Sequence, residues 1–149
     1  MTASGSRLIF PNLAVKDLDR AKAFFAELGF TFDPRFTDEN ATAMVVNEHA
    51  SVMLLREEFF KGFTSKELVD STKQIESMIA LSAESREDVD ALCDRALEVG
   101  GSPAGEPMEM DFMYGRSFSD PDGHHWEVFW MDMEAVEQQG SAAAAASAG

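Results

Sequence analysis

The chain has 149 residues, enough for one domain or for two small modules sharing a core. With 45% hydrophobic residues it can bury such a core, which excludes a disordered chain. Its 12 lysines and arginines stand against 27 acids, and the net charge of −15 repels phosphate backbones and anionic lipid, arguing against nucleic-acid and membrane-surface partners.

Cys93 is the single cysteine, so neither an intrachain disulfide framework nor a cysteine-based zinc site is available. It falls on the apolar stripe of a helical pattern and is expected to be a small core residue. No apolar run approaches membrane-spanning length and the N-terminus lacks a signal-peptide pattern, so a cytoplasmic location is expected.

In chain order, Arg7 to Val15 reads as a strand, with Pro11 marking an edge or an irregularity. Asp17 caps a helix whose apolar residues Leu18, Ala21, Phe24, Phe25 and Leu28 recur at helical spacing, and Gly29 ends it. Three short strands follow, at Phe30 to Phe36, Ala41 to Asn47 and Ser51 to Leu55. From Arg56 to Gln74 the pattern weakens. Phe59, Phe60 and Phe63 suggest a loop or short helix covering a cavity mouth, with the rings packed against the domain or against a partner subunit. Ile75 to Ala83 is a further strand, and Ser85 opens a second helix, with Asp88 three residues on completing a capping-box pattern. Val89, Leu92, Cys93, Ala96 and Leu97 form its apolar face, Gly100 ends it, and strands are expected at Ser102 to Glu106, Phe112 to Ser119 and His125 to Met131. The order β-α-β-β-β thus occurs twice, an internal repeat in which Val15-Lys16-Asp17 corresponds to Ala83-Glu84-Ser85. The expected organisation is a first module over residues 1–56, a connecting segment over 57–74 and a second module over 75–133. An acidic helical stretch then leads into an alanine-rich tail, with 134–149 expected to be disordered.

Ser119-Asp120-Pro121-Asp122-Gly123-His124-His125-Trp126-Glu127-Val128-Phe129 carries the most chemistry. Asp-Pro-Asp-Gly is a tight-turn signal, so the flanking runs read as a β-hairpin. Glu127 is a lone carboxylate within an apolar strand, where an unpartnered charge costs several kcal/mol. If Ser119 lies opposite His124, Arg116 faces Glu127 and pairs with it across the strands. A ligand-facing role and metal ligation are the other readings. His125 shares a strand face with Glu127, and Trp126 alternates to the opposite face and packs beneath a helix.

The two β-α-β-β-β modules, the segment "KDLDRAKAFFAELGF" after the first strand and the closing "DPDGHHWEVF" resemble the vicinal oxygen chelate superfamily over residues 7–133. That group includes glyoxalase I, bleomycin-resistance proteins, fosfomycin-resistance enzymes and extradiol dioxygenases. The resemblance implies an α+β fold in which two βαβββ modules form a curved, barrel-like mixed sheet around a ligand cavity, in a homodimer. It also implies a divalent metal held from the first and last strands of each module, positions that carry over here to Phe10, Leu54, Met78 and Glu127. Only Glu127 suits a hard or borderline divalent ion; Asn12, on the face of Phe10, could substitute weakly, and His125 is a second nearby donor. No metal and no other cofactor is therefore expected. The implied function is binding of a small, partly apolar organic molecule, with Phe10, Asn12, Leu54, Arg56, Met78, Tyr114, Arg116 and Phe129 as candidate ligand contacts. Arg56 and Arg116 would suit a ligand carboxylate. Alternatives are a glyoxalase-like lyase or dioxygenase-like enzyme built around Glu127 and His125, and a non-catalytic dimeric interaction protein with a filled cavity.

Overall fold

The computed structural model describes residues 7–138, and the expected alanine-rich tail falls outside them. The fold is α+β, with two separate mixed sheets of four and five strands. The chain divides into two units, one running up to Glu76 and including Asp120–Gly123, the other holding Ser77–Ser119 and the residues from His124 onward.

In the first unit, β1 (Asn12–Val15), α1 (Leu18–Glu27), β2 (Thr31–Asp33), β3 (Ala41–Asn47) and β4 (Ala50–Arg56) give the sheet order β1-β4-β3-β2. Strand β1 runs parallel to β4 and the other pairs are antiparallel. The N-terminal strand is shorter than its apolar run. Pro11 has no N–H to offer, so among the described residues only an isolated bridge from Ile9 to Ala50 precedes β1. Likewise Phe30 to Phe36 yields a three-residue strand, because Pro34 turns the chain into a 3-10 helix over Pro34–Phe36. Asp17 caps α1 by accepting from the Arg20 N–H at 3.0 Å. Leu13, Val15, Thr42, Met44, Val52 and Leu54 share one sheet face by register, and with Leu18, Ala21, Phe24 and Phe25 of α1 they form a buried core. The connecting segment supplies α2 (Glu57–Phe60) and a 3-10 helix at Lys61–Phe63. Phe59 and Phe63 meet edge to face at 5.2 Å, and both are exposed.

The second unit contains β5 (Met78–Ser82), α3 (Arg86–Glu98), β6 (Ser102–Pro103), β7 (Met108–Met110), β8 (Met113–Ser119) and β9 (His125–Met131). Strand β9 lies between β5, to which it is parallel, and β8, to which it is antiparallel; β6 and β7 both pair with β8. One strand more than expected follows the helix, since Met108–Met110 folds back on Met113 through the two residues Asp111 and Phe112. Ser85 caps α3 through the Asp88 N–H at 3.0 Å, while Asp88 reaches back to accept from the Glu84 N–H at 3.0 Å, one residue earlier than in a standard capping box. Val89, Cys93 and Ala96 of α3 are buried, as are Phe118, Trp126 and Val128 of the sheet. Trp126, fully buried, stacks nearly parallel to Phe118 at 6.5 Å. Residues 133–138 are helical.

The turn Asp120–Gly123 is held within the first unit. Asp122, only 3% exposed, accepts at one oxygen from the Lys16 N–H at 2.8 Å and from Arg20 Nη2 at 3.1 Å. Its backbone carbonyl accepts from Ser71 Oγ at 2.7 Å. Gly123 adopts φ +91°, and a side chain there would strike the Ser71 carbonyl at 2.5 Å. Only glycine fits that approach.

Two outcomes follow from these contacts. Asp122→Ala removes the acceptor shared by the Lys16 amide and Arg20, so stability should fall by about 1–3 kcal/mol in urea titration. Burial pushes the Cys93 thiol up to about 11, so it should resist a thiol reagent at pH 8 in the native protein and react only in denaturant.

Candidate functional site

Strand alternation sorts the second unit's polar residues onto two faces. The hairpin closes with Ser119 opposite His125, leaving a five-residue connection over 120–124. Arg116 is therefore opposite Val128, and Glu127 is opposite Ser117. This corrects the expected Arg116–Glu127 pair: one more residue in the loop shifts the register and puts the two side chains on opposite faces.

The face toward α3 receives Arg116 and Tyr114. Arg116 Nη1 donates at 2.9 Å to Asp90 and at 2.9 Å to Asp94, both on α3, and Tyr114 Oη donates at 2.6 Å to the same Asp90 oxygen. The Arg86 guanidinium lies over the rings of Tyr114 and Trp130, 5.5 and 5.1 Å from their centroids, and donates to Glu109 at 3.1 Å. Hydrogen bonds from Tyr114 and then Arg116 hold the Asp90 carboxyl below its ordinary pKa. The Asp90 bond in turn raises the phenol of Tyr114. Burial opposes the charge on Arg116, but its bonds to Asp90 and Asp94 outweigh that and keep it protonated. Asp90 and Asp94 went unrecognised in the sequence. Their four-residue spacing puts both on one side of a helix, which is the signal that marks them as partners of a sheet cation.

The other face carries the candidate site. Met78, His125 and Ser119 form one cross-strand row, and Ala80, Glu127 and Ser117 the next. Beyond them come Ser82, Phe129, Gly115 and Met108, and then Met131, Met113 and Met110. His125 Nε2 lies 3.2 Å from Glu127 Oε1, with the imidazole largely shielded and the carboxylate half-exposed. Of the candidates in this unit, His125, Glu127, Met78 and Phe129 are thus brought together, while Tyr114 and Arg116 belong to the helix-facing side. Ser117, beside Glu127, and the methionines of β7 and β8 complete the face.

In the first unit, Leu54 is fully buried on the face packed against α1. Asn12 lies on the opposite face beside Met53 and donates to the Phe10 carbonyl at 2.7 Å. Phe10 is exposed before β1, and Arg56, also exposed, donates to Asn40 Oδ1 at 2.6 Å. A cavity of about 630 Å³ lies beside the connecting segment of this unit, lined by Lys16, Glu57, Lys61, Lys66, Asp70 and Ser71 among others.

A divalent ion requires several hard or borderline donors at one point. Among the described residues, no group of three or more histidine, cysteine, aspartate or glutamate side chains could hold a metal ion. Of Phe10, Leu54, Met78 and Glu127, only Glu127 supplies an oxygen, and Leu54 sits in the core under α1. These residues do not fit a divalent centre of the kind the resemblance implies.

Replacing Arg116 by Met should cost about 1–2 kcal/mol, because Asp90 and Asp94 keep access to water. Asp90 is depressed in the folded state, so its contribution is complete above the ordinary carboxyl value of 3.8 and is lost as pH falls through the lower, folded value. Acid unfolding followed by circular dichroism should therefore show a shallower pH dependence in Arg116→Met than in the parent.

Comparison with known proteins agrees with this fold. Residues 7–128 match the Glyoxalase/Bleomycin resistance protein/Dioxygenase superfamily. No curated protein matches the sequence. A hypothetical protein from S. aureus is similar in structure with a TM-score of 0.72 and 29% identity, over 84% of this chain and 93% of that one. A glyoxalase/bleomycin resistance protein/dioxygenase family enzyme from Burkholderia phytofirmans gives a TM-score of 0.70 at 16% identity, over 85% of this chain and 99% of that one. An antibiotic binding protein from a Streptomyces species gives 0.59 at 21% identity, over 87% of this chain and 99% of that one. With the match spanning most of its length, the chain belongs to the glyoxalase/bleomycin resistance protein/dioxygenase superfamily.

Proposed function

We propose that the protein binds a small, largely apolar organic molecule on the second unit's sheet face opposite α3, and that it sequesters this ligand without a divalent metal. The observation that carries the reading is the make-up of that face. Phe129 and the methionines supply polarisable apolar surface, and His125 with Glu127 supplies the polar anchor. Small-molecule sites are built this way, from apolar walls and a few polar groups that fix orientation. The antibiotic binding protein of similar fold supports binding of a small organic molecule as a role open to this architecture. Homodimerisation and a cytoplasmic location are part of the same reading; among the described residues no helix is long and apolar enough to cross a membrane.

The His125–Glu127 contact favours a second reading, in which the carboxylate orients the imidazole as a general base toward a bound substrate. The two readings separate experimentally. Native mass spectrometry of freshly purified protein, followed by a thermal-shift screen of aromatic antibiotics, should yield a ligand that leaves unchanged. Glu127→Gln should weaken its binding by about tenfold, the effect of one lost charged hydrogen bond. Turnover of the ligand that is abolished by His125→Gln would establish the enzyme. Stoichiometric zinc, nickel, iron or manganese that is lost in Glu127→Gln would overturn the metal-free reading.

A further inference from the structure

Four of the chain's nine methionines fall on one patch of the second unit's sheet. The segment Met108-Glu109-Met110-Asp111-Phe112-Met113 folds as the hairpin of β7 and β8, with Met110 opposite Met113. On its other side Met113 is opposite Met131 of β9, so three thioethers form a single row across three strands. Side chains so paired have Cβ atoms about 4.5–5.5 Å apart. Met108 stands in the adjacent row opposite Gly115, which has no side chain to come between them. Met108 and Met110 are 51% and 46% exposed, so an ion in solution can reach them.

The surrounding donors sharpen the chemistry. Glu109 alternates to the α3 side, where Arg86 binds it at 3.1 Å. The Asp132 carboxylate accepts from the amides of Glu134 and Ala135 at 3.1 and 3.3 Å. Glu127 and His125 share the methionine face but lie two and three rows along the strands from Met131. The patch therefore offers sulfur with no carboxylate in its rows. Thioethers are poor ligands for zinc, magnesium or calcium and good ones for Cu(I). Methionine's three rotatable bonds also let sulfurs from neighbouring strands converge on one ion without movement of the backbone.

We propose that Met108, Met110, Met113 and Met131 form a site for a soft monovalent metal ion, Cu(I). The site is distinct from the His125–Glu127 pair and does not depend on the organic-ligand reading.

The test is an anaerobic titration of the full chain with Cu(I), kept reduced by ascorbate and competed by the chromophoric chelator bicinchoninate. One ion should be retained per chain, and excess Zn(II) should not displace it. Met113→Leu/Met131→Leu, which conserves apolar volume, should weaken retention by about tenfold or more, each thioether being a direct ligand. Met78→Leu, on the same face but outside the patch, and Cys93→Ala should leave it within about twofold. Should the double variant prove unstable, Ag(I) added to the parent protein labelled with 13C at the methionine methyls should shift the signals of the four patch methionines and spare that of buried Met44. Absence of retention, retention unchanged in the double variant, or loss in Met78→Leu or Cys93→Ala would overturn the site.

Discussion

The length of one connection governs the chemistry of the second unit. Between Ser119 and His125 the chain needs five residues, because Asp122 is drawn into contact with the Lys16 amide and Arg20 while Gly123 passes against the Ser71 backbone. A loop of four would place His124 opposite Ser119 and move every β9 side chain to the other face. Trp126 and Val128 would leave the core, and Glu127 would enter it. The cost of burying that carboxylate and exposing that indole far exceeds what a single turn contributes, so core and turn select the same register.

Once the register is set, the two faces take separate tasks. The side toward α3 has an aromatic and aliphatic interior edged by charges, with Arg116 answering Asp90 and Asp94, and Arg86 lying over Tyr114 and Trp130. Each charged group there has an opposite partner within hydrogen-bond reach, so these residues anchor helix to sheet. The reverse side needs no such balance. Its polar pair, the largely shielded His125 and the half-exposed Glu127, stands among sulfur and aromatic surface. The residue that best suits an anionic ligand by type, Arg116, is committed to structure, while the carboxylate suspected of needing it stands free of it.

Much of this was legible in the sequence, and the exceptions have physical causes. Helix boundaries were readable because caps are local: Asp17 and Ser85 declare α1 and α3 through side chains that bond the next turn. The repeated strand pattern and the closing "DPDGHHWEVF" identified the superfamily for the same reason. The facing of Trp126 followed from alternation alone. What alternation could not supply was the phase between two strands, which depends on how many residues the turn consumes. That number was set by Lys16, Arg20 and Ser71, far away in the chain. Leu54 shows the related difficulty: its strand was recognised, but which of two adjacent apolar residues meets the helix is decided by packing. The short β7 escaped notice because three residues of Met-Glu-Met carry too little periodicity to announce a strand.

The subdivision of the strand beside β8 has a further result. Where one long ribbon would present a continuous ladder of amide and carbonyl groups, β8 is bordered by two fragments, β6 of two residues including Pro103 and β7 of three. An incoming polypeptide seeking to extend the sheet on that flank meets too few consecutive donors and acceptors to dock, and proline withholds one of them. The same interruption that brings the β7 methionines beside Met113 thus also guards that flank against aggregation.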